Sequence, residues 1–445
     1  MIHNHWVKPL GGLLTLGVVL LAGRMSCAAS ITYNSILSMR NHRYDAQIVH
    51  QIGKGGYALY TAGPYHTNRR TLTRDANGSD HTNQYVRVMQ TKVTRTGTYV
   101  KLRYFNQQLG WMNSHGIKRV SFASVIAGTM AQANFSGTAA LISAGKTQPT
   151  VVSAGLADAS TKTANSNNGT VLYPLASLQK AITGALIQQL ISQRKLSPST
   201  PLSRYYPQVA GSQRITISEL LSMTSGITNP EQFPRQSPSE TQAVSLALKT
   251  LKTSTNKTFQ YSDDNYVLLA GIIAKVTGNS YAANVQTRVL TKLGLTHTFL
   301  VTRSQPSLTA TLAQSATWTP ADPYATPQSV TLPRFAALVG AGNMLTTPGE
   351  FTAVIQGMQN GQILTKKQYR QLLRYGTVYS GGFYVNRDGI KYNNGSFSGL
   401  TYHTGYYATT GNYHAAIVFS NRAPLRNGLS QKDFVAQLYR VAVYY

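Results

Sequence analysis

Cysteine is almost missing from this chain: Cys27 is the only one in 445 residues. A disulfide framework is therefore excluded, and so is a zinc site built on paired thiolates. Carboxylates are scarce too, with 13 Asp and Glu against 41 Lys and Arg, giving a formal charge of +28. Glycosidase chemistry needs two acids facing each other across a sugar, and the only close pair in residues 121–445 is the adjacent Asp263 and Asp264. The same region has three histidines, His297, His403 and His414, in no ligand spacing, so no metal is expected. There is no phosphate-cradling Gly-x-x-x-x-Gly-Lys, and no helix-turn-helix, zinc-finger or RNA-binding signature. Neither a cofactor nor a nucleic-acid partner is expected.

What the sequence does contain begins with residues 1–29. Lys8, an apolar run over 10–22 and the small residues Ser26, Cys27, Ala28 and Ala29 form a secretory signal pattern, with cleavage expected after Ala28 or Ala29. The apolar run falls short of the roughly 20 residues a bilayer span needs. An uncleaved anchor, and with it membrane contact, is the alternative, whereas Arg24 and Met25 argue against a lipidated Cys27. Cleavage would remove the one thiol, which suits a protein at a Gram-positive surface. For an exported chain of this charge, the acidic partners to expect are teichoic acids and anionic lipid head groups. A charge that only tunes solubility is the plainer reading.

Apolar residues make up 42% of the chain, enough for at least one sizeable core. Residues 30–120 are rich in Tyr, Thr, Arg and Gly. Short strands are expected at 57–61, 84–91 and 98–105, in a small all-β domain. From residue 31 to 120, 13 basic and three acidic side chains leave +10. Beyond it the spacing predicts a helix over 122–131, strands over 137–145 and 150–155, and a long helical middle. A hairpin over 402–421 turning at Gly411-Asn412 and a closing helix over 431–443, capped by Ser430, complete the pattern. Residues 121–445 thus read as an α+β domain, an antiparallel sheet with flanking helices and a helical insertion.

Ser-x-x-Lys occurs four times, at Ser143/Lys146, Ser177/Lys180, Ser192/Lys195 and Ser254/Lys257. Only Ser177 opens a helix, predicted over 176–193, with Leu178, Ile182, Leu186 and Leu190 on one face. Three residues apart on a helix, Ser177 and Lys180 share a side, so the amine can reach the hydroxyl. The positive helix start disfavours the ammonium and its free amides favour a negative oxygen, conditions under which a buried lysine acts as base. Two further groups fit a cleft. Tyr261 precedes Ser262, Asp263 and Asp264 just outside a helix expected over 266–276. His403-Thr404-Gly405 lies in the penultimate strand, where Gly405 would allow close backbone approach.

Ser177-Leu-Gln-Lys180, Tyr261-Ser-Asp263 and His403-Thr-Gly405 resemble the three active-site motifs of the serine β-lactamase and penicillin-binding protein superfamily, in its class C-like branch. Supporting stretches are Leu220-Leu-Ser-Met-Thr-Ser-Gly226 and Gly340-Ala-Gly-Asn-Met-Leu-Thr-Thr347. The resemblance implies a β-lactamase/DD-peptidase-like fold, with Ser177 as acylated nucleophile, Lys180 as base and Tyr261 as proton relay. It also implies an oxyanion hole from the amides of Ser177 and Tyr406, and substrate contacts from Asp263, His403, Thr404 and Gly405. Asp263 stands where many members carry Asn, and His403 where penicillin-binding proteins carry Lys. Histidine is mostly neutral at pH 7, which favours esters and amides without a free carboxylate over β-lactams. The expected activity is acyl transfer from D-alanyl groups of the cell envelope, as a D-Ala-D-Ala carboxypeptidase or a D-alanyl esterase of teichoic acid. A β-lactamase or general esterase, and a non-catalytic wall-binding protein, are the rivals.

The N-terminal stretch is similar to the GW-type, SH3-like modules of Gram-positive surface proteins, through Tyr57-Ala-Leu-Tyr60, Gly63-Pro-Tyr65, Thr98-Tyr-Val-Lys101 and Gly110-Trp111. That likeness implies binding of cell-wall polymers, peptidoglycan or teichoic acid, with Tyr60, Tyr65 and Trp111 as candidate contacts. A spacer without affinity is the alternative.

Overall fold

The structure is a computed structural model that describes residues 34–49, 57–61, 76–144, 146–230, 234–302, 310–386 and 388–445. The expected signal segment and Tyr65 lie outside these residues.

Six strands build the first sheet: β1 (Ile36–Arg40), β2 (Tyr44–Ile48), β3 (Tyr85–Thr94), β4 (Gly97–Tyr104), β5 (Gln107–Asn113) and β6 (Ile117–Arg119). Their order is β5-β4-β3-β2-β6, and β1 pairs with the far half of β3. Alternation explains the core: Val86 and Val88 on β3, Val100 and Leu102 on β4, and Met112 on β5 point inward with Ala46 and Ile48. Trp111 is 4% exposed, its backbone bridged to Tyr60 and its ring lying under Lys92 Nζ at 4.6 Å. An indole so covered offers no face to a polymer, so it is not the exposed contact expected. Tyr60 is half-buried.

The second sheet has seven antiparallel strands. They are β7 (Gly137–Ile142), β8 (Thr150–Ala154), β10 (Tyr379–Ser380), β11 (Phe383–Val385), β12 (Ile390–Gly395), β13 (His403–Thr409) and β14 (Ala415–Ser420), ordered β8-β7-β14-β13-β12-β11-β10. A separate strand, β9 (Val171–Pro174), leads to Ser177. The period of two sends Ala139, Leu141, Ala416 and Val418 to one face of the large sheet. There they meet Val125, Ile126 and Met130 of α1 (Phe122–Gln132) and Phe434, Val435 and Leu438 of α6 (Gln431–Tyr444). Ala140, Ile142, Ile417 and Phe419 face the other way, into a larger core with α2 (Lys180–Ser192) and α4 (Asp264–Thr277). Two further helices are α3 (Glu240–Thr250) and α5 (Pro348–Asn360).

Helix α2 departs from the one-faced pattern expected of it. Every residue from Lys180 to Leu190 is buried, because the helix runs between the sheet and the helical layer. Polar side chains find partners even there: Thr183 Oγ1 donates to the Gly340 carbonyl at 2.7 Å and Gln189 Nε2 to that of Ile363 at 3.0 Å, while Gln189 Oε1 is left without a partner. The hairpin between β13 and β14 is also wider than two residues, since Ala408 pairs with Ala415 and Asn412 takes a φ of 53°.

The two sheets meet at Tyr445. Arg87 Nη1 donates to its carbonyl at 2.5 Å, its hydroxyl donates to the Tyr85 carbonyl at 2.6 Å, and Phe105 packs edge-on against its ring. Among the described residues no helix is long and apolar enough to cross a membrane.

Candidate active site

Ser177 stands on a single 3-10 turn (Ala176–Gln179) between β9 and α2, one turn ahead of the α-helix proper. Ala176 is held at a φ of 50°, a left-handed conformation that costs a non-glycine residue roughly 1–2 kcal/mol. The kink brings Ser177, half-buried, to the head of α2. Strain of this kind gathers where a side chain must be held at a chosen angle.

Lys180 is the first residue of α2 and is wholly buried. Its Nζ lies 2.9 Å from Ser177 Oγ, 2.8 Å from the Ala341 carbonyl and 2.7 Å from Asp263 Oδ1. Burial pushes the amine below its ordinary value, opposed by the Asp263 carboxylate. A neutral amine has two N–H donors and one lone pair. The Ala341 and Asp263 oxygens take the donors, leaving the lone pair for the Ser177 hydroxyl proton.

Tyr261 approaches from the segment before α4. Its Oη donates to Ser177 Oγ at 2.8 Å, and Lys180 Nζ sits 5.2 Å from its ring centre. Burial, then the Asp263 charge, hold the phenol well above its ordinary value, so it remains a proton donor at neutral pH. Tyr261 as a whole residue is 37% exposed although its phenol oxygen is desolvated, and the cluster therefore opens to solvent on this side. Residues 258–260, which lead into Tyr261, pair with no ladder. The other three Ser-x-x-Lys pairs disperse: Lys146 lies over Phe122, Lys257 pairs with Glu219, and Lys195 is exposed.

The expected third element needs correcting. His403, Thr404, Gly405 and Tyr406 lie on β13, an inner strand bonded on both sides, with Tyr406 facing Asn393 in β12 and Ile417 in β14. A main-chain amide there is spent in the ladder, and Tyr406 is wholly buried, so it cannot donate to a substrate oxyanion. Thr404 Oγ1 donates to the Leu175 carbonyl at 3.0 Å, beneath the site. A Cβ on Gly405 would meet Val435 of α6, on the far face of the sheet. His403 Nε2 lies 3.1 Å from Asn394 Oδ1, and burial pushes its pKa down to about 4, so it carries no charge for a substrate.

The strand that faces Ser177 is β12. Asn393 Nδ2 donates to the Ser177 carbonyl at 3.1 Å and to that of Gly382 at 2.8 Å. A Cβ on Gly395 would lie 2.8 Å from Ser177 N, closer than real Cβ atoms come. Sequence reasoning missed Asn393-Asn394-Gly395 because it contains no titratable group. The one available signal was a glycine ending a strand after a polar pair.

Among the described residues, no group of three or more His, Cys, Asp or Glu could hold a metal ion. The arrangement supports nucleophilic attack by Ser177 Oγ, with its proton passing to Lys180 and a second proton available from Tyr261.

Comparison with known proteins gives the family and the fold. The β-lactamase family model matches residues 122–440, and that of the GW (Gly-Tryp) dipeptide domain matches residues 38–118. PbpX of Bacillus subtilis (strain 168), named a penicillin-binding protein, is 29% identical over 275 residues, covering 60% of this chain and 67% of that protein. The teichoic acid D-alanine hydrolase of Staphylococcus aureus (strain NCTC 8325 / PS 47) is 27% identical over 248 residues, 54% of this chain. The match spans only 60% of the hydrolase's length. Two solved structures share the fold. FmtA from Staphylococcus aureus has a TM-score of 0.62 at 23% identity, over 72% of this chain and 88% of that one. The D-amino acid amidase of Ochrobactrum anthropi SV3 has a TM-score of 0.60 at 19% identity, over 72% and 96%. The chain belongs to the β-lactamase family of serine hydrolases, and carries a GW domain ahead of its α+β hydrolase domain.

Proposed function

We propose that this protein is an extracellular serine hydrolase that acts on D-alanyl groups of the cell envelope through an acyl-enzyme on Ser177. One observation carries the reading: Ser177 Oγ lies within hydrogen-bond length of both the buried Lys180 amine and the Tyr261 phenol. Lys180 accepts the serine proton as Oγ attacks the D-alanyl carbonyl, and Tyr261 protonates the departing oxygen or nitrogen. Water then repeats the sequence in reverse and frees D-alanine or a D-alanyl-terminated product. The amide of Ser177 and that of Ser396, the exposed residue just beyond β12, replace the expected pairing with Tyr406 as donors to the oxyanion. Each such donor is worth about 3–4 kcal/mol of transition-state stabilisation.

The relative named for teichoic acid D-alanine hydrolysis favours this substrate class over β-lactams, and β12, the strand beside Ser177, presents Asn393 and Asn394 there and no cation for a free carboxylate. Likeness to GW domains and the charge of +28 support retention at a Gram-positive surface through anionic wall polymers. The test is to treat the protein with a fluorophosphonate probe, digest it and locate the label. A modified peptide holding Ser177 is expected. Failure of every serine-directed probe on folded protein would favour a wall-binding protein that has kept the fold without the chemistry.

A further inference from the structure

Tyr261 belongs to two surfaces at once: its hydroxyl touches Ser177, and it also lines a pocket of about 150 Å³. The polar wall of that pocket is Ser262, Asp263, Asp264 and Asn229, and its apolar wall includes Ala247 of α3 and Leu338. Two of the polar residues have bonding capacity to spare. Asp264 is 8% exposed, accepts from the uncharged Nδ2 of Asn229 at 2.6 Å, and forms no ion pair with a described cation. Ser262 is 4% exposed, and its Oγ has no hydrogen-bond partner. Buried polar groups are rarely left this way, and a desolvated carboxylate is costly without a positive neighbour. Desolvation accordingly raises Asp264 to about 6. The carboxylate of Asp263 stands beside it on the same wall, held to Lys180 through one oxygen.

An ammonium group matches this recess, because it brings three donors and one positive charge to a wall of acceptors. We propose that the recess receives the free α-ammonium of the D-alanyl group whose carbonyl Ser177 attacks, with Asp264 and Ser262 as its ligands. The inference rests on the acyl-enzyme reading above and sharpens its substrate. In a D-alanyl ester the nitrogen is one carbon from the reacting carbonyl and charged. In a peptide ending in D-Ala-D-Ala the same nitrogen is an amide, with one donor and no charge. The recess thus selects D-alanyl esters with an unblocked amine over peptides.

The experiment uses the full chain at pH 6.5, where an amine of ordinary pKa near 7.7–8.0 is protonated. Hydrolysis of D-alanine methyl ester is compared with that of N-acetyl-D-alanine methyl ester, each kcat/KM divided by its uncatalysed rate, with fluorophosphonate labelling alongside. The free amine should be preferred by about 10- to 100-fold, the range of a hydrogen bond to a charged group. Asp264→Asn should bring the ratio toward one, and Ser262→Ala, which deletes a single oxygen, should lower it. Because the readout is a ratio, partial unfolding of a variant lowers both rates and cancels. A wild-type ratio near one, or a ratio unchanged in both variants, would overturn the recess while leaving the acyl-enzyme intact. Turnover of neither ester by protein that still labels at Ser177 would overturn the D-alanyl substrate and the recess with it. Loss of labelling itself would overturn the acyl-enzyme reading.

Discussion

Gly395 abuts Ser177 so closely that a methyl group added to it would sit 2.8 Å from the serine nitrogen, 2.8 Å from Ala176 Cβ and 2.6 Å from Thr404 Oγ1. The last residue of β12 therefore sets the position of the nucleophile, and the glycine one strand over does not. Gly395→Ala should displace Ser177 and cut probe labelling by tenfold or more, with overpacking costing about 1–3 kcal/mol. Gly405→Ala should instead press on Val435 of α6 and lower the melting temperature of a protein that still labels. Labelling lost from Gly405→Ala but kept by Gly395→Ala would return the site to β13.

The nucleophile and its proton partners can be tested separately. Ser177→Ala should abolish covalent labelling, while alanine at Ser143, Ser192 or Ser254 should spare it. Lys180→Ala and Tyr261→Phe should each slow ester turnover by roughly 10² to 10⁴, the span of general acid–base catalysis. Circular dichroism would verify that these variants fold. A folded Tyr261→Phe protein at full rate would remove the phenol from the mechanism.

Asp263 and Lys180 make a pH prediction with a definite sign. The base must be neutral, so kcat/KM falls as pH drops through the pKa of Lys180 in the free enzyme. The Asp263 carboxylate at 2.7 Å raises that pKa, against the larger lowering by burial. Asp263→Asn removes the raising influence, so the acidic limb of the profile should move to lower pH. A limb that stays in place, or moves to higher pH, would show that Lys180 is not the group titrating.

Wall binding should respond to salt. If the attraction is between the basic N-terminal region and polymer phosphates, binding of the full chain to isolated walls should weaken from 0.1 M to 1 M salt, as the Debye length falls from about 10 Å to about 3 Å. Stripping teichoic acid from the walls should have the same effect, measured by co-sedimentation. Equal binding to stripped and intact walls would eliminate teichoic acid as the anchor.

Much of the hydrolase domain was legible because its signals are local. The cap at Ser430, the period of two in β7 and the i, i+3 spacing of Ser177 and Lys180 all act within a few residues. Tyr261 was legible for the same reason, standing just ahead of a helix. The third motif was not, since its identity depends on strand order. Gly395 pairs directly with Thr404, so two glycine-bearing strands lie side by side, and only their order tells which one borders Ser177. The left-handed Ala176 was equally hidden, because alanine has no preference for a positive φ and is held there by its surroundings. The Asp264 recess takes its walls from α3, α4 and the segment near Leu338, three stretches that no single window of sequence contains.

The contacts of Tyr445 with Tyr85, Arg87 and Phe105 fix the GW-matching sheet against α6, whose other side supports β13 and β14. A module joined in this way behaves as a ruler and not as a leash. If the N-terminal sheet grips a polymer, as proposed, Ser177 can reach only those acyl groups at one height and bearing above the grip. A flexible tether would instead let the active site sweep a sphere whose radius grows with linker length. Hydrolysis along an anchored polymer should then leave a periodic trace, spaced by the polymer repeat that brings the next group to that height.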